Sequence, residues 1–296
     1  MTSDQVSYLV FGIVLFLALI FDLGLLSKKG QKVTIKQALY QTFFWVGLAI
    51  AFFIFMWLEN GQTIALEYLS AYLMEWSLSI DNIFVFILIF SAFSVKEKNY
   101  GRVLLIGILM AIVFRIIFIT VGVALVDRFS WVLYVFGVFL IYTGYKMFTT
   151  DEQEEFDPQQ SRVYKFIKRF LPLVPHDGDG KFSIRKDGKK FYTTLFVVVM
   201  MLATIDIVFA LDSIPAVMGI SRDRMVIYTS NIFAVLGLRS LFFLLRGAVS
   251  KFDYLPQGIA IVLIFIGLKM LGEHWINEWI DKTVQFLAVF GNAVPG

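Results

Sequence analysis

The sequence has no cysteine. Disulfides, thiolate metal sites and cysteine nucleophiles are therefore excluded. Histidine is nearly missing as well: the two present, His176 and His274, both fall outside the long apolar runs. Charge is sparse at 17% of residues, and a net charge of +3 is too small to suggest nucleic acid as a partner. The opening residues, MTSDQVSY, lack the basic region of a signal peptide, so the first apolar block is expected to remain as a span.

What is abundant is hydrocarbon. The chain of 296 residues is 58% hydrophobic with a mean hydropathy of +0.76. A soluble domain would carry roughly 45–50% apolar residues. The excess falls in blocks of about 20, the length that crosses a bilayer as a helix. Spans are expected at 6–26, 38–58, 68–93, 103–126, 129–149, 193–217, 227–247 and 256–272. A weaker stretch, 283–295, is short for a span and reads as a tilted ninth helix or an interfacial one. The expected fold is an all-α polytopic transmembrane helix bundle of 8–9 spans, one transporter-like domain covering 1–296. The methionines and the 32 phenylalanines read as packing and lipid-facing residues.

Lysine and arginine placement sets an expected orientation. Eighteen of these residues fall in the loops after spans 1, 3, 5 and 7, against four on the other side: Arg128, Arg222, Arg224 and Lys282. This puts the N-terminus outside and the loop 150–192 in the cytoplasm. That loop starts with the acidic run DEQEEFD, read as a solvated surface. SRVYKFIKRFLPLV is expected to form a short amphipathic helix on the membrane face, and FSIRKDGKKFYT a hairpin turning at Asp187-Gly188. His176-Asp177-Gly178-Asp179-Gly180 resembles a calcium loop, but Lys181 stands where a further acid is needed, so it reads as a turn.

One short stretch breaks the apolar pattern and then recurs. EWSLSIDNIFVF (75–86) places an acid, a second acid six residues later and then an amide in span 3. IDIVFALDSIPAV (205–217) repeats this in span 6, setting Glu75 on Asp206, Asp81 on Asp212 and Asn82 on Ser213. Downstream, Arg115 answers Arg239, and Gly144-Tyr145-Lys146 answers Gly267-Leu268-Lys269. Repeat one would cover about 68–149 and repeat two about 193–272. Each has three spans, an odd number, so the second enters the membrane inverted, an architecture of many secondary transporters.

A carboxylate at the bilayer centre costs roughly 2.5–3.5 kcal/mol on insertion scales. Four of them, Glu75, Asp81, Asp206 and Asp212, point to a functional path. The alternative is structural, with Arg115 and Arg239 simply pairing with acids to hold the bundle. Four acids less two arginines leave a formal −2, which matches one divalent cation or two protons. A spacing of six residues separates two side chains by about 9 Å of rise and 120° of turn, so Glu75 and Asp81 cannot chelate one ion from a straight helix. Two facing helices could pool their oxygens, and Pro215 could free the carbonyl of Leu211, or merely kink the helix. The donors are all oxygen, which suits Mg²⁺, Ca²⁺ or Mn²⁺. Asp22 near the end of span 1 reads as a gate or a boundary residue, and Asn231 as a helix cap or a path residue. No tightly bound cofactor is expected, and an enzyme is not: aspartyl-protease signatures are absent.

Together YLMEWSLSIDNIFVF, VFGVFLIYTGYKMF, DIVFALDSIPAV, YTSNIFAVLGLRSLFFLL and LIFIGLKML resemble the TerC family of integral membrane proteins, which includes Alx-type bacterial manganese exporters. The resemblance runs from Phe21 to Leu271. It implies a cation exporter of the bacterial inner membrane, with Mn(II) the leading cargo and Ca(II) or Mg(II) as alternatives. By motif position it implies a metal path of Glu75, Asp81, Asn82, Asp206, Asp212 and Ser213. The family pattern carries a further acid three residues before Asp206, where this chain has Ala203; the segment after Glu273 also departs from the usual longer final helix. A rival implication, from TerC-like plastid proteins, is a membrane scaffold whose buried charges are structural.

Overall fold

The computed structural model describes residues 3–25, 33–149, 162–186, 188–246, 257 and 260–272, with no side-chain description for residues 3, 4, 21–25, 81, 147–149, 162 and 163. The expected weak segment 283–295 lies outside the described residues, as does Asp187 in the predicted turn.

The architecture is all-α. Among the described residues, eight apolar helices fall where the hydropathy blocks place them: α1 (Ser3–Leu25), α2 (Ile35–Asn60), α3 (Gln62–Ala92), α4 (Glu97–Arg128), α5 (Val132–Thr149), α7 (Thr194–Met218), α8 (Arg224–Leu245) and α9 (Ala260–Gly272). Between α5 and α7 come the short helix α6 (Arg162–Phe170) and the strands β1 (Ser183–Lys186) and β2 (Lys189–Tyr192). Among the described residues, five helices, α2, α3, α4, α7 and α8, are long and apolar enough to cross a membrane.

Local chemistry sets the ends of these helices. Thr34 and Gln37 form a reciprocal capping box that starts α2. Gly61 alone separates α2 from α3, and its φ of +91° is a conformation that a residue with a Cβ resists. Asp223 caps α8, its Oδ1 accepting from the backbone N–H groups of Met225 and Val226. Pro215 lies inside α7, which nevertheless runs unbroken to Met218, so the expected freeing of a carbonyl is not accompanied by a break in the helix.

Helix α8 is the axis of the bundle: 89% of its most apolar stretch is buried, against 33% for α2. A helix apolar all round must be enclosed, and α8 is enclosed by α2, α3 and α4. Its Phe233 meets Phe11 of α1, Phe52 of α2 and Tyr68 of α3 in one aromatic cluster. Helix α3 packs chiefly on α8, and α4 chiefly on α7. Helices α4 and α8 are antiparallel, joined by Glu97–Arg246 at one end and Asp127–Arg224 at the other.

Small residues let α5 and α9 approach closely. A Cβ at Gly267 would lie 2.6 Å from the carbonyl oxygen of Gly137, and one at Gly144 would lie 2.7 Å from that of Ala260. Such contacts are a main source of helix association in lipid, where hydrophobic burial supplies little. The outer faces of α1, α5 and α9 present large apolar side chains, among them Phe16, Val138 and Phe265.

Between α5 and α7, a short helix and a two-stranded hairpin lie where the sequence places them, while the acidic run 151–157 lies outside the described residues. In α6, Ile167 is buried and Tyr164 packs on Phe93, while Phe166 and Phe170 project outward as an exposed pair with ring centroids 4.6 Å apart. Strands β1 and β2 pair antiparallel, from Ser183 opposite Tyr192 to Lys186 opposite Lys189. The Gly178–Gly180 segment is a turn with positive φ at Gly178, Asp179 and Gly180. It docks on the start of α4 through a 3.0 Å Lys96–Asp177 ion pair and a 2.8 Å hydrogen bond from Arg102 to the Gly180 carbonyl.

Candidate functional site

Halfway along α4, Arg115 is 1% exposed. It reaches into the bundle and gathers the acids of both recurring stretches. Its Nε and Nη2 donate to the two carboxylate oxygens of Asp206 on α7 at 2.9 and 3.0 Å. Its Nη1 contacts Glu75 on α3 and also donates to Asn231 Oδ1 on α8 at 3.1 Å and to Ser213 Oγ on α7 at 3.5 Å. Glu75 is 0% exposed and Asp206 1%. Burying charge this deeply is tolerated only when it is paired and hydrogen-bonded, and the planar fork of arginine suits a two-pronged carboxylate contact.

Only part of the Glu75 carboxylate is used. Its Oε2 is buried and has no hydrogen-bond partner, and the same holds for Ser79 Oγ, one turn further along α3. Asn82, a further turn on, is 2% exposed. Glu75, Ser79 and Asn82 thus form one buried polar stripe.

The remaining expected residues lie elsewhere. Asp212 is half-buried and faces α5, where Thr143 donates to its Oδ1 at 3.4 Å. It is six residues beyond Asp206 on α7, about 9 Å of rise and 120° of turn away, so it adjoins Ser213 but points to α5 and not to Arg115. Asp81 stands six residues beyond Glu75 on α3, which runs in the opposite sense; its side chain, like that of Asp22, lies outside the described side chains. The acids are therefore distributed along the bundle, with Glu75 and Asp206 pooled at its centre. Arg239 is 4% exposed, and a Cβ at Gly101, near the start of α4, would lie 3.7 Å from its Nη2. Asn231 is not a helix cap: it sits two turns inside α8, with its Nδ2 donating to the Ile227 carbonyl and its Oδ1 receiving Arg115. Ala203 is fully buried and supplies no side-chain oxygen at the position of the further family acid. Among the described residues, no group of three histidine, cysteine, aspartate or glutamate side chains is placed to hold a metal ion.

Packing and hydrogen bonds flank the centre along the bundle. Toward the α4 start, Phe86, Leu104, Ile108, Leu202 and Leu238 pack beneath Asp206 and leave no room for a water molecule. At the opposite end, Ser221 donates to Glu67, Thr120 and Tyr228 share a hydrogen bond, and Lys269 Nζ donates to the Gly219 carbonyl.

Sequence reasoning passed over Ser79 and Thr143. Ser79 had a signal, since it lies four residues after Glu75 and three before Asn82. Thr143 had none, because its role depends on α5 lying against α7.

Residues 60–294 match the profile described as "Integral membrane protein TerC family". The chain belongs to the TerC family. It is 44% identical to an "Uncharacterized membrane protein" of Myxococcus xanthus, over 91% of this chain and 84% of the relative. It is 40% identical to an "Uncharacterized membrane protein" of Rickettsia bellii, over 97% of each. A TerC relative from Escherichia coli, named "Putative membrane-bound redox modulator Alx", is 38% identical over 95% of this chain and 89% of its own length. No solved structure matches the chain.

Proposed function

We propose that this TerC protein exports a divalent cation, Mn(II) foremost, across the bacterial inner membrane by alternating access. The observation that carries this reading is the pair of fully buried carboxylates at mid-bundle, held by a single arginine with one carboxylate oxygen left over. Intramembrane ionisable groups are costly and are kept where ions pass. The all-oxygen surroundings suit a hard cation. In this reading the N-terminus and Asp212 lie toward the outside, Asp81 lies toward the cytoplasm, and the central acids can take protons on the return step.

The inverted repeat belongs to the same reading. Its support is the crossed pairing of α3 with α8 and α4 with α7. The close contacts at Gly137–Gly267 and Gly144–Ala260 add to it. The register that sets Gly144 on Gly267 sets Gly137 on Ala260, so each contact maps onto the other.

Redox modulation, the role in the relative's name, cannot use a thiol couple in a chain without cysteine. Control of a redox-active metal would provide an indirect link. The scaffold reading is favoured by one specific observation, the satisfaction of Asp206 by Arg115. The two are separated by Mn²⁺ uptake into inside-out vesicles from cells carrying wild type or Asp212→Asn at matched abundance. Export predicts uptake for wild type and its loss in the variant. No uptake in wild type rejects export.

A further inference from the structure

The two recurring stretches are alike in sequence but not in use. On α7, both oxygens of Asp206 are taken by Arg115. On α3, Glu75 gives Arg115 only Oε1; the Ser213 hydroxyl also stands by this carboxylate, and Oε2 is buried without a hydrogen bond. Ser79 Oγ, one turn away, is in the same condition. A buried donor or acceptor left unsatisfied is costly, and more so when charged, so two such atoms on one helix face require an explanation. The register that sets Glu75 on Asp206 sets Ser79 on Ala210, which is 1% exposed and has no oxygen to offer. The repeat is thus broken at the position where α3 keeps its spare hydroxyl.

We infer that the two motifs divide the labour: Glu75 and Ser79 on α3 hold the transported cation, whereas Asp206 and Arg115 form a fixed fastening between α7 and α4. This rests on the transport reading above. The cation bound is a hard divalent ion such as Mn²⁺, for which a carboxylate oxygen and a neutral hydroxyl are suitable ligands. Asn82, buried on the same stripe, is the next oxygen along it. Entry of the ion at Glu75 Oε2 need not disturb the two-pronged Asp206 contact.

The test is Mn²⁺ titration of the purified full-length protein in nanodiscs by calorimetry, with metal-free thermal unfolding measured in parallel. Ser79→Ala is expected to weaken binding about tenfold, the effect of one neutral contact, without lowering the unfolding temperature. Glu75→Gln should abolish binding and remain folded. Asp206→Asn should lower the unfolding temperature, while protein that stays folded binds Mn²⁺ within about threefold of wild type, since RT makes a threefold change well under 1 kcal/mol. Wild-type affinity in Ser79→Ala overturns the inference even if Asp206→Asn cannot be prepared. Loss of binding in a fully stable Asp206→Asn overturns it as well. Both results leave the export reading standing if wild type binds and moves Mn²⁺. A wild type that binds neither Mn²⁺, Ca²⁺ nor Mg²⁺ rejects export and this division of labour together.

Discussion

Arg102 and Arg115 lie on the same helix, and each reaches across to another part of the chain. Arg102 is exposed, donates to one carbonyl and lies 4.7 Å over the ring of Phe182. Arg115 is 1% exposed and holds two carboxylates, a serine and an asparagine. The chemistry is similar, but depth makes the energetics different. At the helix end, water substitutes for any lost partner. At the centre nothing does, so each group depends on the others.

The widest separation between these regions comes from deleting the two arginines in turn. Arg115→Ala leaves two buried carboxylates facing each other without a cation. It should cost roughly 3–5 kcal/mol, the range for stripping one partner from a buried pair, and appear as a large fall in unfolding temperature or in membrane accumulation. Arg115→Lys should recover only part of this, because an ammonium cannot reproduce the fork on Asp206. A loss under 1 kcal/mol for Arg115→Ala would mean that the centre is hydrated and the contrast false.

An intermediate effect tests packing without charge. Gly267→Val would push a side chain into the Gly137 carbonyl and Ile141. It should cost about 1–3 kcal/mol as an overpacked contact and part α5 from α9, measurable as faster proteolysis or a lower unfolding temperature.

The smallest effects belong to the helix ends. Arg102→Ala should change stability by no more than about 1 kcal/mol. Asp177 offers a pH test of the same docking contact. The Lys96 ammonium bonded to Asp177 holds its carboxyl below the usual aspartate range. A lowered folded-state pKa stabilises above the unfolded value, so this contribution is complete above about pH 4 and fades as pH falls through the lowered value. Lys96→Ala should shrink that acid-side change, leaving the smaller part due to the Asp179 backbone and Lys98, and salt should shrink it in wild type, whereas the Arg115 cluster should respond little to salt.

Much of the fold was legible in the sequence, because span length and hydropathy follow directly from the thickness of a bilayer. The eight apolar helices and the hairpin coincide with blocks of residues whose local preferences agree with their final state. Glu75, Asp206 and Arg115 were also legible, since charge in an apolar run is conspicuous. Less legible was how they are shared. Equal spacing in the two motifs suggested equal roles, yet Asp206 is fully engaged and Glu75 half engaged. Asn231 read as a cap because the span drawn from hydropathy starts at 227, within about a turn of it; the structure begins α8 at Arg224, seven residues before Asn231.

The sequence by itself determined which segments are helices and which residues must be protected from lipid, because both depend on local composition and periodicity. Only the tertiary structure decided the partners. Arg115 joins Asp206, 91 positions away, and Asn231, 116 positions away, while Asp212 turns aside to Thr143. Such choices rest on which helix faces pack together, and in a bundle that follows from shape, small-residue contacts and the need to satisfy every buried charge at once.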